Sequence, residues 1–221
     1  MGRIGDTTMA HGPTYNFVAA LIAEELNTGG IDPAGSAYYI NDPVSFTNAA
    51  NIEAGEEIVM KNGDGGVCCA PTGCDTVKGA SGDFTVCSWD PLLKSWLADM
   101  TPITNGSGEV TGSKMPFGTQ TCQRKFSIEL WERVCFDGVE APGYVHTLLS
   151  GVTFTPNDGD IAFGQRTRSW TWKTAGGSML DIPGILGDWD GGASQLGGEW
   201  YSESDLPSLT PFELIPVASL P

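Results

Sequence analysis

The feature that most constrains the fold is an alternation of apolar and polar side chains in residues 125–136. A period of two residues is typical of a β-strand with one buried face. We therefore expect a core strand here, with a polar outer face and one interruption of the apolar set at Glu132. The apolar parity holds Phe126, Ile128, Leu130, Val134 and Phe136, and the other parity holds Ser127, Glu129, Trp131 and Arg133.

Glycine and proline divide the rest of the chain into short pieces. Thirty glycines and fourteen prolines among 221 residues that are 40% hydrophobic favour many strands and turns over a helical bundle or a disordered chain. We expect one large, mainly β domain, an antiparallel β-sandwich or barrel with one or two flanking helices and extended arms and loops.

Further strands are predicted from alternation and from turn residues at their ends. Trp170 and Trp172 are two residues apart on one strand face, which favours the core over a ligand-binding platform. Gly151 interrupts one strand and predicts a β-bulge. The predicted strands are residues 43–47, 57–61, 79–87, 143–155 and 161–174, with a turn at 62–66.

Two segments have helical spacing instead. Residues 14–26 place apolar side chains at helical intervals and end at a Gly-Gly pair, so we expect a helix there. Asp90 and Pro91 form an N-cap and first-turn pair that predicts a second helix over residues 90–98. The apolar residues of these two helices are Phe17, Val18, Leu21, Ile22 and Leu26, and then Leu92, Leu93, Trp96 and Leu97.

These elements suggest three regions. Residues 1–42 form an N-terminal arm with a helix, residues 43–174 form the β-domain, and residues 175–221 form a C-terminal extension that wraps the domain or neighbouring subunits. Residues 101–121 have no apolar period, so we expect a long loop that is functional or ordered by a partner.

The charge balance limits the partners. The sequence has 27 acidic and 11 basic residues, a net charge of −16, which repels phosphate and disfavours a protein that grips nucleic acid. A surface past which DNA must slide would need this sign, and so would a protein kept soluble by its charge. The longest apolar run, residues 17–23, is too short to span a bilayer, and no targeting segment is expected.

The six cysteines leave three readings open. Four of them fall within twenty residues, which fits a metal site, although no Cys-x2-Cys pair is present. A disulfide and buried thiols are the other readings, and a reducing cytosol favours thiols. The cysteines are Cys68, Cys69, Cys74, Cys87, Cys122 and Cys135.

No catalytic constellation is complete, so we expect no enzyme, no cofactor and no metal. Residues 108–114 resemble a phosphate-binding loop, but Ser113 and Lys114 are in the wrong order. His11 and His146 are too far apart in the sequence to suggest a relay, and His146 is expected to be structural. The carboxylate pairs are expected in solvated turns: Glu56 with Glu57, Asp158 with Asp160, and Asp188 with Asp190.

Several of these segments, in this order, resemble the major tail (tail tube) proteins of long-tailed, non-contractile bacteriophages, especially those of actinobacteria. The resemblance continues through about residue 174. It rests on residues 52–63, Cys69, Cys74, Asp75, Lys78, Phe84, Cys87, the Asp90-Pro91-Leu92-Leu93 run with Leu97, and residues 126–131 and 148–154.

The resemblance implies rings of six copies, stacked into a hollow tube through which DNA passes without specific binding. It also implies contact with tape-measure, tail-terminator and tail-tip proteins, production in the host cytoplasm, a place in the virion, and no membrane. Within such a tube, we expect the outer face of residues 125–136 to line the bore or to contact a neighbouring subunit. The residues concerned are Glu129, Trp131 and Arg133 on this face, and Glu132 of the apolar parity, where we expect a bulge or a partner in a neighbouring subunit.

Two other functions stay open. A virion decoration or receptor-binding β-domain would use an exposed tryptophan platform, and an acidic hydrolase would use Asp188 and Asp190. The platform would be built from Trp170, Trp172, Trp189 and Trp200.

Overall fold

The computed structural model describes most of the chain between residues 14 and 220. The described residues are 14–26, 30–41, 43–53, 60–61, 67–69, 76–87, 90–114, 124–136, 139–157, 168–174, 185, 197–203 and 205–220.

These residues form a mainly β, antiparallel fold, which confirms the predicted fold class. One short helix, α1, spans Pro91–Leu97, and a 3-10 turn spans Val217–Ser219. The strands are β1 Thr14–Glu24, β2 Ser36–Ile40, β3 Pro43–Phe46, β4 Ala49–Glu53, β5 Met60–Lys61, β6 Val67–Cys69, β7 Thr76–Val86, β8 Thr101–Thr104, β9 Val110–Lys114, β10 Phe126–Phe136, β11 Val139–Asn157, β12 Arg168–Thr174, β13 Gly197–Ser202 and β14 Leu214–Pro216.

Ten of the strands form one sheet in the order β14-β2-β1-β10-β11-β12-β7-β3, with β13 added to β11 and β4 added to β7. Phe46 of β3 lies edge-on against Phe17 of β1, with 6.5 Å between the ring centroids. The sheet therefore curls until its far strand packs on β1, but it does not close into a barrel. The pairs β5-β6 and β8-β9 form separate two-stranded sheets.

The strand predicted at residues 125–136 is confirmed as β10. It lies between β1 and β11, and both of its faces are buried, whereas the sequence predicted one buried face. Phe126, Ile128 and Leu130 enter a first core cluster inside the curl, together with α1. Trp131 enters a second cluster on the other face of the sheet.

The helix predicted at residues 14–26 is wrong, because Thr14–Glu24 is the strand β1. The strand pairs with β2 on one side and β10 on the other, so its side chains are buried on both faces. Ala20 and Ile22 enter the first cluster, while Leu21 and Ala23 enter the second. A run that is apolar on both parities has no period of two, and periodicity does not distinguish it from a buried helix.

The second helix is confirmed as α1. Oδ1 of Asp90 accepts hydrogen bonds from the backbone N–H of Leu92 at 2.7 Å and of Leu93 at 3.2 Å, and Pro91 occupies the first turn. Leu93, Trp96 and Leu97 are buried in the first cluster. The helix therefore closes one end of the curled sheet.

Residues 101–121 were expected to be an unstructured loop, and this is wrong for residues 101–114. They form a β-hairpin from β8 and β9, in which Thr101 pairs with Lys114 and Ile103 with Gly112. The hairpin is exposed along β8, so no apolar period marked it in the sequence. Residues 115–121 lie outside the described part of the chain.

The other strand predictions agree with the structure where it describes them. Residues 43–47 and 79–87 correspond to β3 and β7. Gly151 has φ +67°, and β11 has one extra residue opposite β10 at this point, which confirms the bulge. Of residues 57–61 only Met60–Lys61 are described, and the predicted turn at 62–66 and residues 161–167 lie outside the described residues.

The C-terminal strands belong to the same sheet. β13 pairs with β11, and β14 pairs with β2. β13 and the residues after it cover the second cluster with partly buried side chains: Trp200, Leu206, Leu209, Val217 and Leu220.

Candidate functional site

The four residues predicted to line a bore or contact a neighbour all lie on β10, at different depths. Glu129 and Trp131 are 0% and 1% exposed, so other parts of the chain cover them. Glu132 and Arg133 are half-buried, and Arg133 lies 5.9 Å from the ring centroid of Tyr144. A contact of this strand with a bore or a neighbouring chain stays a prediction. Of the four residues, only Glu132 and Arg133 are exposed enough to make such a contact.

The buried carboxylate of Glu129 has partners on both of its oxygens. Nδ1 of His146 lies 3.0 Å from Oε1, and the backbone N–H of Ile185 donates to Oε2 at 2.9 Å. His146 is 1% exposed and stacks on Trp200, with 4.8 Å between ring centroids. Because burying a carboxylate is unfavourable without such partners, Glu129 holds β10, β11 and Ile185 together.

The pair of Glu129 and His146 has the residue types of a catalytic dyad but lacks access. Trp131 lies on the other side of the imidazole, with 5.5 Å between the rings, so aromatic side chains enclose His146. A substrate cannot reach a proton held at that depth. The expected structural role of His146 agrees with this position.

Two adjacent carboxylates at the end of β1 were missed in the sequence because the segment was read as a helix. Glu24 accepts hydrogen bonds from Trp96 Nε1 at 2.9 Å and from Arg124 at 2.7 Å, which ties α1 to the sheet. Glu25 accepts from Ser127 Oγ and from the backbone N–H of Gly151 at 3.0 Å. Adjacent strand residues point to opposite faces, so the two carboxylates stabilise the two sides of the sheet separately.

Burial raises the pKa of Asp90 above its ordinary value of 3.8, although the N–H groups of Leu93 and Leu92 act in the opposite direction. The hydroxyl of Tyr38 donates to the other carboxylate oxygen of Asp90. Burial, with a smaller contribution from Tyr144, also raises the pKa of Tyr39. Asp90 therefore joins the start of α1 to Tyr38 of β2.

The hairpin of β8 and β9 is largely exposed. All four residues of β8 are exposed, and the side chain of Ile103 is 39% exposed. A two-stranded hairpin is marginally stable alone in water. This hairpin therefore depends on contacts with other elements, including α1. We call residues 101–114 the hairpin arm.

Hydrogen bonds from and to the side chain of Asn105 stabilise the turn of the hairpin arm. Oδ1 of Asn105 accepts from the N–H groups of Ser107 at 2.9 Å and Glu109 at 3.0 Å. Nδ2 of Asn105 donates to Glu109 Oε2 at 2.7 Å, and Gly108 adopts φ +86°. These hydrogen bonds therefore fix the shape of the arm's turn. Residues 108–114, weighed as a phosphate loop, include its return strand.

A second exposed apolar position lies on the edge of the main sheet. In the described part of the chain β4 pairs only with β7, and Ile52 of β4 is 62% exposed. An uncovered edge strand offers unpaired backbone groups to another chain.

Two of the four tryptophans of the predicted platform are buried and cannot bind a ligand at the surface. Trp170 and Trp172 are 2% and 0% exposed within the first cluster, and Phe46 stacks on Trp172 with 4.8 Å between ring centroids. The core reading of this pair is therefore confirmed. Trp200 is half-buried against His146, and Trp189 lies outside the described residues.

Among the described residues, no group of three or more His, Cys, Asp or Glu side chains could hold a metal ion. Cys135 carries a free thiol, and Cys74 and Cys122 lie outside the described residues. The same holds for His11 and for the carboxylate pairs at 56–57, 158–160 and 188–190. No described helix has the length and hydropathy needed to cross a membrane.

No family model matches the chain, and no curated protein matches it significantly.

Proposed function

We propose that this protein is a structural subunit that assembles with copies of itself into rings of six, stacked as the hollow tail tube of a non-contractile bacteriophage. The hairpin arm is the observation that carries the proposal. It has an exposed strand and an exposed isoleucine on a hairpin that packs on α1, and a two-stranded hairpin gains stability from each further surface that covers it.

The edge strand β4 supplies a second contact surface. Ile52 presents an apolar side chain there, beside backbone groups that another subunit's strand could pair with. A ring needs two different complementary patches on each copy, because contacts between neighbours around a rotation axis are heterologous. The hairpin arm and the β4 edge provide two such patches.

The distribution of charge supports a conduit for DNA. After Lys173 the sequence has no lysine or arginine but seven acidic residues. Four of these, Glu199, Glu203, Asp205 and Glu213, are exposed on the chain that covers the second cluster. A wall of this sign repels phosphate and lets DNA pass without binding it. We propose that the face of the sheet that carries the second cluster, with the C-terminal residues that cover it, is turned towards the bore.

Partners in the virion follow from the same proposal. A tube of stacked rings needs a protein that sets its length and others that close its two ends, which correspond to the tape-measure, tail-terminator and tail-tip proteins. No catalytic role is included. The runner-up, a decoration or receptor-binding domain, would keep the same fold but stay monomeric or form small closed oligomers.

Purified protein tests the proposal by light scattering after size exclusion and by negative-stain microscopy. We expect rings or tubes of uniform bore. Ile103→Glu places a charge in the proposed contact and should lower the assembled fraction at least about tenfold, as expected for loss of an interface anchor. Thr210→Glu adds the same charge at an exposed position outside the arm, and at the same salt concentration it should lower the assembled fraction far less than Ile103→Glu does. Persistent monomers or trimers of the unmodified protein would overturn the proposal.

A further inference from the structure

The tip of the hairpin arm combines a reactive dipeptide with an unusual hydrogen-bond pattern. Asn105 is followed by Gly106, and a Cβ built on Gly106 would meet nothing within 4 Å. The backbone N–H of Gly106 donates no hydrogen bond to the described residues. This nitrogen is therefore available as a nucleophile, with no side chain of its own to hinder its approach to the neighbouring amide carbon.

The electrophile is polarised by the fold. Two backbone N–H groups, from Ser107 and Glu109, donate to Oδ1 of Asn105 at 2.9 and 3.0 Å. Two such donors on a carbonyl oxygen stabilise the negative charge that develops when a nucleophile adds to the carbon. The same arrangement that shapes the turn thus also activates the Asn105 side-chain amide.

We propose that Asn105 is a site of spontaneous deamidation that alters the hairpin arm as the protein ages. The Gly106 nitrogen attacks Cγ of Asn105, the bond from Cγ to Nδ2 breaks, and Nδ2 leaves as ammonia with the proton from the Gly106 N–H. Water then opens the resulting cyclic imide at either carbonyl, which gives aspartate or isoaspartate at position 105.

The product cannot keep the turn as it is. The amide of Asn105 donates to Glu109 Oε2 at 2.7 Å, and a carboxylate in its place has no proton to donate and repels Glu109. Isoaspartate also adds a backbone atom between residues 105 and 106, which disturbs the pairing of β8 with β9. The modification therefore loosens the arm in any copy whose tip is exposed.

Mass spectrometry of the full-length protein tests this proposal without reference to assembly. Folded protein is incubated at neutral and at mildly alkaline pH, beside a sample unfolded in guanidinium, and digested after Lys94 and Lys114. We expect amide-to-acid conversion in the peptide of residues 95–114, faster at the higher pH, and at least as fast in the folded as in the unfolded sample. Labelling by an isoaspartyl methyltransferase identifies the isoaspartate fraction.

Gly106→Ala is the matched variant, because its added methyl group meets no neighbour and the hairpin should stay intact. Circular dichroism checks this, and conversion should slow severalfold. Conversion at Asn105 in the unfolded sample alone would overturn the proposal, since the folded turn would then be protective. An unchanged rate in Gly106→Ala would also overturn it. Failure of the protein to form rings would leave both readouts intact.

Discussion

Glu129 illustrates how one buried polar residue can join several parts of a β-protein. It lies on a central strand and takes hydrogen bonds from His146 on the next strand and from the backbone of Ile185. The sequence singled out Glu129 because it occupied the polar parity of a core strand. It could not show that this face is covered, because the covering residues come from much later in the chain.

Removal of the Glu129 carboxylate should be costly. Glu129→Ala leaves His146 and the Ile185 N–H buried without this acceptor, and we expect a loss of about 3 kcal/mol in the free energy of unfolding. Glu129→Gln keeps one acceptor oxygen and should lose less. Chemical denaturation measures both, with Glu199→Gln at an exposed position of β13 as the control that should change little. Equal stability of all three variants would contradict the anchoring role.

Asp90 should make stability depend on pH in a direction opposite to that of a salt-bridged carboxylate. Its folded-state pKa is raised by burial, so the folded state binds the proton more tightly than the unfolded chain does. The stabilisation is complete below the unfolded value, near 3.8, and is lost as pH rises through the raised folded pKa. Asp90→Asn keeps a good N-cap and should remove this contribution.

The measurement for Asp90 is the difference in unfolding free energy between the native protein and Asp90→Asn across the acid range. This difference should shift in favour of Asp90→Asn as pH rises. Tyr38→Phe, which removes the hydroxyl donor to Asp90, is the companion variant. A difference that does not vary with pH would show that Asp90 titrates as it does in the unfolded chain.

Among the elements, β11 depends on its bulge. Gly151 is in the left-handed region at φ +67°, and its N–H is bound by Glu25. Gly151→Ala has space for its methyl group but strains the backbone, so we expect a loss of about 1 kcal/mol in the free energy of unfolding. Gly151→Asn should lose less, since asparagine tolerates this conformation. Thermal or chemical denaturation that ranks Asn below Ala would contradict the strain argument.

The elements also show what the sequence could and could not predict. Local signals were sufficient for α1, whose cap and first-turn proline are adjacent in sequence, and for β10, whose two parities differ. They failed for β1, because its residues 17–23 are apolar on both parities and leave no alternation to detect. They failed for the hairpin arm for the opposite reason, since it is exposed and has no core face.

At the scale of the whole molecule, net charge should control association. Copies carrying −16 repel one another, and salt screens this repulsion over a Debye length of about 8 Å at physiological ionic strength. We therefore expect the assembled fraction to rise with sodium chloride concentration, as followed by light scattering. Thr210→Lys, which reduces the charge, should assemble at lower salt. Assembly that weakens as salt is added would show that attraction between opposite charges dominates.

The pairing of β1 with β10 has a consequence for synthesis of the chain. Ala20 lies opposite Leu130, so β1 stays without this central partner until the ribosome has made β10. Until then the apolar run around Leu21 has β2 on one side but lacks its partner on the other, so it stays partly exposed on the nascent chain. Pairings so distant in sequence fold slowly and favour aggregation of incomplete chains. Production of this protein should therefore respond strongly to lower temperature and to chaperones that hold unfinished chains.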